Sequence, residues 1–243
     1  MMGQWCEADV AGKAASVFEP ANEARFAVIY LHTFAQDSLV GNEVYTTLFD
    51  ELNLACLCPR GGRCWWADRI CAEFDANLTP ERYILDVVLP FARERWSLGP
   101  RGVGLLGIDM GGQGAVRLSL KYPEALPVVA AIAPSIEYHE LYWSGTSIDQ
   151  MYASKEECRQ DTAPMHIHPT NFPPHIFFAC DPTDPWRRGC DRLHEKMSAL
   201  GVTHECDFQT RAGGHTWDYF NSMAERAVRF LAAGLEREAR RLH

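Results

Sequence analysis

Residues 103–124 read VGLLGIDMGGQGAVRLSLKYPE, and the six at 107–112, GIDMGG, decide the fold. The apolar run 103–108 has the length and composition of a buried strand, and a helix opens at Gly111. Between them lies a turn too tight for ordinary residues, with Asp109 at its apex. Gly107 and Gly111 flank the apex because strand and helix pass too close there for a Cβ. The layout is that of a nucleophile elbow, G-x-S-x-G. In that motif the middle residue is held in a strained backbone with its side chain above the sheet edge. Here the middle residue is Asp109, not Ser.

The flanking chain repeats the strand signal. Residues 25–31 (RFAVIYL), 54–58, 128–133 and 175–180 (HIFFAC) are near-continuous apolar runs, the pattern of strands covered on both faces. Residues 204–209 read as the last strand, and 5–19 as one or two short edge strands. Helices are expected over 42–52, 79–96, the elbow helix to 122 and 216–242, and residues 191–200 are expected to lie in another. The second of these opens on Thr79, Pro80 and Glu81: a capping hydroxyl, a proline at the first position and an acid in the first turn. Pro90 is expected to kink it. Strands alternating with helices predict an α/β fold, a mostly parallel twisted sheet with helices on both faces. No linker, repeat or low-complexity tract divides the chain, so one domain over 1–243 is expected. Residues 135–174 show little periodicity and read as a lid-like insertion.

Composition narrows the function classes. The chain has 243 residues, is 47% hydrophobic and carries a formal net charge of -9. That balance argues against nucleic acid and against anionic membrane surfaces, either of which would want a basic patch. No apolar run approaches the roughly 18 residues of a membrane span. The N-terminus, MMGQWCEADVAGK, has acids and no apolar core of a signal peptide, so a cytoplasmic location is expected. The nine cysteines are scattered and expected to be reduced, with Cys56, Cys58 and Cys180 in the core. No cofactor is expected. No metal is expected either: paired zinc-type spacing is missing, and His166 and His168 lack a third ligand at suitable spacing. Oligomeric state is left open, a homo-oligomer included.

Loops at the carboxyl ends of parallel strands are where such sheets carry chemistry. Asp109, Asp184 and His215 each follow an expected strand, so the three should gather at one sheet edge. Their order, nucleophile position, acid, then His, is that of an α/β-hydrolase. Five stretches carry the match further: YLHTF (30–34), CPRGG (58–62), GIDMGGQGA (107–115), FFACDPTDPW (177–186) and AGGHTWDYF (212–220). With these the chain resembles the esterase D-like branch of the α/β-hydrolase superfamily, which holds S-formylglutathione hydrolases and short-chain esterases. The resemblance runs from about residue 25 onward. It implies a hydrolase of small carboxylic esters or thioesters, a small-molecule partner. It puts Asp109 at the serine position, Asp184 at the acid and His215 at the base. The backbone N–H groups of Met110 and Phe34 would form the oxyanion hole. Asp181 is the competing acid, at a position where the family usually has Gly. Thr33 also replaces a family Gly.

Asp109 changes the chemistry. A serine hydroxyl gives its proton to His and forms an ester that water can cleave. A carboxylate attacking an ester would form a mixed anhydride, and the intermediate should fall back to reactants. The same carboxylate can turn an oxygen into the oxyanion hole and hold His215 protonated, and a protonated His is no base. Three readings follow. The chain is an esterase-like hydrolase altered at its nucleophile, or an inactive or engineered homologue that binds acyl or carboxylate ligands. The third is an Asp-nucleophile hydrolase of the haloalkane dehalogenase or epoxide hydrolase type. Trp65, Trp66, Tyr142 and Trp143 are candidate pocket residues, with core packing the plainer reading of the first two. His32 reads as a strand-end packing residue. The basic end at 237–241 complements the terminal helix dipole.

Overall fold

The computed structural model describes residues 2–241. Eight strands form one sheet: β1 (Gln4–Val10), β2 (Lys13–Glu19), β3 (Phe26–Leu31), β4 (Leu54–Pro59), β5 (Val103–Ile108), β6 (Val128–Ile132), β7 (His175–Ala179) and β8 (Glu205–Asp207). Their order is β1-β2-β4-β3-β5-β6-β7-β8. The expected edge strands are a hairpin turned at Ala11 and Gly12, both at positive φ (53° and 81°). β2 joins β4 antiparallel, and every pairing from β4 to β8 is parallel. This is the α/β-hydrolase fold.

Among the described residues nine α-helices accompany the sheet: α1 (Glu43–Glu51), α2 (Pro80–Tyr83), α3 (Leu89–Arg95), α4 (Met110–Lys121), α5 (Ile148–Met151), α6 (Lys155–Gln160), α7 (Arg187–Ala199), α8 (Trp217–Ser222) and α9 (Ala224–Arg240). Side-chain alternation splits the strands between two cores. In β3, Ala27, Ile29 and Leu31 pack with α4, while Val28 and Tyr30 pack with α1 and α9. All six β3 residues are buried, which is why the strand reads as an unbroken apolar run.

Two local expectations are corrected by the structure, the length of the last strand and the single terminal helix. The 79–96 helix runs in pieces: α2 and α3 are joined by one π turn, Ile84–Val88, in which the Leu89 N–H reaches the Ile84 carbonyl. α3 restarts with Pro90 in its first turn, where a missing N–H leaves no bond unmade. β8 is shorter than 204–209, because Asp207 Oδ1 accepts the Gln209 and Thr210 N–H groups (2.9 and 3.0 Å) and turns the chain out of the ladder. α7 contains the stretch from Asp191 expected in a helix and begins at Arg187, its first turn set by the Asp184 carbonyl accepting the Arg187 N–H. The helix expected over 216–242 is two, α8 and α9, divided at Met223, and Leu242 lies outside the described residues. Residues 135–174 are ordered by α5, α6 and two 3₁₀ turns, Tyr138–Leu141 and Ala163–His166. All nine cysteines are free thiols. No helix among the described residues is long and apolar enough to cross a membrane.

Candidate functional site

The parallel registers align the carboxyl ends of four strands. Leu31 of β3 lies beside Gly107 of β5, Ile108 beside Ile132 of β6, and Ile132 beside Ala179 of β7. Phe34, Asp109, Ser135 and Asp184, each one to five residues past its strand, therefore meet at one edge. Asp109 stands at φ 54°, ψ -118°, a conformation few residues with a Cβ adopt. Two glycines make the turn sterically feasible. A Cβ on Gly107 would come 2.1 Å from the Gly111 carbonyl oxygen, and one on Gly111 would come 1.8 Å from that of Leu31.

The Asp109 carboxylate is almost enclosed, at 7% exposure, and both of its oxygens are held. Oδ2 accepts the Phe34 backbone N–H at 2.9 Å. Oδ1 accepts the Ser135 hydroxyl and lies 3.4 Å from His215 Nε2. Met110, the other expected donor, opens α4 directly after Asp109, where backbone N–H groups lack intrahelical partners. Ser135 was not singled out in the sequence. The rule that found Asp109 and Asp184 also covers it, since it follows β6 at the same sheet edge.

Asp184 and Asp181 do different work. His215 Nδ1 is 2.7 Å from Asp184 Oδ2, and Asp184 Oδ1 accepts the Trp186 N–H at 2.7 Å. Asp181 makes no contact with the ring. Its Oδ1 accepts the Thr183 N–H and hydroxyl, and its Oδ2 accepts the Ala212 and Gly214 N–H groups (2.8 and 3.2 Å). Asp181 thus ties the loop bearing Asp184 to the loop bearing His215. The His215 ring also packs edge-on against Phe220 at 5.2 Å.

The Phe34 N–H is aimed by a turn that Thr33 closes. Thr33 Oγ1 donates to Asp37 Oδ2 at 2.8 Å and accepts the Asp37 N–H, so the hydroxyl is used within its own loop. His32 links two of the quoted stretches: Nε2 accepts the Gly61 N–H at 3.0 Å and Nδ1 donates to the Thr33 carbonyl at 2.8 Å. Both ring nitrogens are therefore engaged, and burial lowers the His32 pKa, keeping the ring neutral.

Trp65 and Trp66 are both buried and both at positive φ (54° and 51°). Trp65 lies 5.5 Å from Phe34, whose N–H binds Asp109, and stacks on Tyr138 at 5.1 Å. Trp66 lies edge-on to the His32 ring at 5.0 Å, with its indole N–H given to the His32 carbonyl at 3.4 Å. Tyr142 donates to the Tyr152 carbonyl at 3.3 Å, and Trp143 is 81% exposed with its ring against Tyr142. Neither hydrogen-bonds the Asp109–His215 group. His166 reaches Asp161 Oδ1 at 3.3 Å, and His168 accepts from Thr170 in its own loop.

Electrostatically the group is an ion pair flanked by a second carboxylate. Burial alone would lower the His215 pKa, but hydrogen bonds to Asp109 and Asp184, with their charges, outweigh it and push the value up to about 10. For Asp109, burial would raise the pKa, yet the pairing with His215 and the Ser135 and Phe34 donors leave it below the ordinary carboxylate value. A raised folded-state value means the proton on His215 stabilises the fold. That contribution is full below about pH 6.5, the unfolded value, and is lost as pH climbs through about 10. In urea titrations, the stability gap between the native chain and Asp109→Asn should be widest near pH 6 and shrink toward pH 10. A gap independent of pH would contradict the pairing.

Residues 42–231 match the model of the Esterase family. No curated protein matches the chain. Among solved structures it is similar to an S-formylglutathione hydrolase from Agrobacterium tumefaciens, at 16% identity and a TM-score of 0.78, covering 96% of this chain and 94% of that one. It is similar also to the Staphylococcus aureus fluorophosphonate-binding serine hydrolase F, at 14% identity and a TM-score of 0.77, covering 96% and 99%. A third likeness, to a ferulic acid esterase, has 17% identity and a TM-score of 0.76, covering 96% and 100%. At these identities the three likenesses speak to the fold alone.

Proposed function

Because this chain belongs to the Esterase family, we propose that its sheet-edge site is that of an esterase for small carboxylic esters or thioesters, silenced at the nucleophile by Asp109. In this reading Asp184 orients His215, His215 is the base, and Phe34 and Met110 supply the oxyanion donors. The observation that carries it is the hold on Asp109. Its Oδ2 takes the Phe34 N–H, the donor a developing oxyanion would need, and its Oδ1 pairs with His215. With His215 pushed up to about 10, the imidazole is protonated at neutral pH and has no lone pair with which to take a proton.

The Asp-nucleophile alternative has less support. Displacement at an alkyl carbon needs a carboxylate oxygen free to attack, and both oxygens of Asp109 are engaged. Residues 135–174 are proposed as a fixed cover over one domain. Support comes from Tyr138 stacking on Trp65 and from the Asp161 carboxylate, which binds Arg117 of α4 at 2.6 Å.

Hydrolysis of short-chain p-nitrophenyl esters tests the proposal. The native chain is expected to be no faster than His215→Ala, both near the rate without protein. Turnover by the native chain that is lost in His215→Ala would overturn it.

A further inference from the structure

We propose a thiophilic metal site, for Zn2+, formed by His194, His204 and Cys206 on the edge strand away from the catalytic group. His194 sits on α7, His204 just before β8 and Cys206 within it. One ligand atom from each lies within 4.8 Å of the other two, and all three residues are half-buried, so a fourth ligand can come from water. His194 Nδ1 is 2.8 Å from His204 Nε2 and 3.6 Å from Cys206 Sγ. Residues spaced ten apart across a helix–strand joint carry no local motif, which is why the sequence shows no metal pattern.

The donor set and its supports suit such an ion. His204 Nδ1 gives its proton to the Val202 carbonyl at 2.8 Å, which fixes the tautomer and leaves Nε2 as a lone pair facing the cluster. Its ring is stacked on Phe178 (5.6 Å, 17°), and the His194 ring stands edge-on to Phe208 at 5.8 Å. Both imidazoles are thus oriented by packing before any ion arrives. Tetrahedral Zn2+, with Zn–N of about 2.0–2.1 Å and Zn–S of about 2.3 Å, needs N···N near about 3.3 Å and N···S near about 3.6 Å. The spacing from His194 Nδ1 to Cys206 Sγ, 3.6 Å, is already met, and the N···N pair opens by about 0.5 Å. On binding, His194 moves its ring proton from Nδ1 to Nε2 and the Cys206 thiol proton leaves to solvent, so one proton is released per ion. Two imidazoles and a thiolate favour zinc over the hard cations that prefer oxygen. The ion would cross-link α7 to β8. The inference does not rest on the esterase reading.

The test is titration of the chelator-treated full chain with Co2+, then Zn2+. One equivalent of Co2+ should give thiolate-to-cobalt charge-transfer absorption and intense tetrahedral d–d bands, both erased by Zn2+. Cys206→Ser should abolish the charge-transfer band, and His194→Ala should weaken Zn2+ binding at least about tenfold. Without any variant, Zn2+ should slow alkylation of Cys206 by iodoacetamide, read by peptide mass. A charge-transfer band that survives Cys206→Ser in a folded chain, or no Zn2+ protection of Cys206, would overturn the site.

Discussion

Asp109→Ser should raise p-nitrophenyl ester hydrolysis at least about 10³-fold over the native chain, the scale on which removing one member of a Ser–His–acid group acts. Three changes would come together. The hydroxyl replaces a carboxylate that cannot form a hydrolysable acyl-enzyme. The Phe34 N–H, now given to Asp109 Oδ2 at 2.9 Å, is freed for the oxyanion. His215 loses one of the two carboxylates that push its pKa up to about 10, and falls toward a value at which it can act as a base. The rest of the machinery needs no rebuilding, since the 2.7 Å bond from His215 to Asp184 does not involve Asp109. The gained activity should vanish in Asp109→Ser combined with His215→Ala. An Asp109→Ser chain as inert as the native one, with its fold intact by circular dichroism, would mean the site is not esterase machinery.

Arg117→Ala is expected to destabilise the chain by about 3–5 kcal/mol, the cost of leaving buried carboxylates without their partner. Arg117 lies on α4, about two turns past the elbow, and its side chain is fully buried. Its guanidinium ties α4 to two other segments: Glu81 of α2 at 2.6 Å, and Asp161 of the 135–174 segment through its carboxylate at 2.6 Å and its carbonyl at 2.8 Å. Lys121 and Tyr122 add bonds to Glu81 at 2.6 and 2.7 Å, and Tyr152 adds one to Asp161 at 2.7 Å. With its partner removed, Asp161 loses part of what holds its pKa far below the ordinary carboxylate value. Arg117→Lys should rescue little, because one ammonium cannot serve two carboxylates at the ends of a planar fork. Urea midpoints measure the loss, and proteolysis should cut first within 135–174. A loss under about 1 kcal/mol would contradict the network's role as the anchor of that segment.

Much of the fold is legible because the sheet is buried on both faces. Runs such as RFAVIYL and HIFFAC leave no other economical reading, and the glycines at 107 and 111 announce a strand and helix in near contact. The gathering of Asp109, Asp184 and His215 is legible for a related reason: in a parallel sheet, residues just past strands converge. What the chain's text does not carry is long-range polar pairing. Glu81, Arg117 and Asp161 sit 36 and 44 residues apart in pairs and look like ordinary surface charges until the fold buries them together. Ser135 bonds Asp109 across 26 residues in the same way. The π turn just upstream of Pro90 has no local signal in the sequence to announce it. Asp181 and Asp184 both follow a strand, and which of the two meets His215 depends on the loop between them. There the Asp181 carbonyl accepts the Asp184 N–H and turns the chain.

The most direct test of the silenced site is the titration of the His215 ring by NMR, assigned by its loss in His215→Ala. The His215 imidazole in the native chain should stay protonated well past neutrality, titrating at about 10, and should move down by more than about one unit in Asp109→Ser. A native His215 titrating near its ordinary value, about 6.5, would contradict the claim that Asp109 silences the site by holding the base protonated.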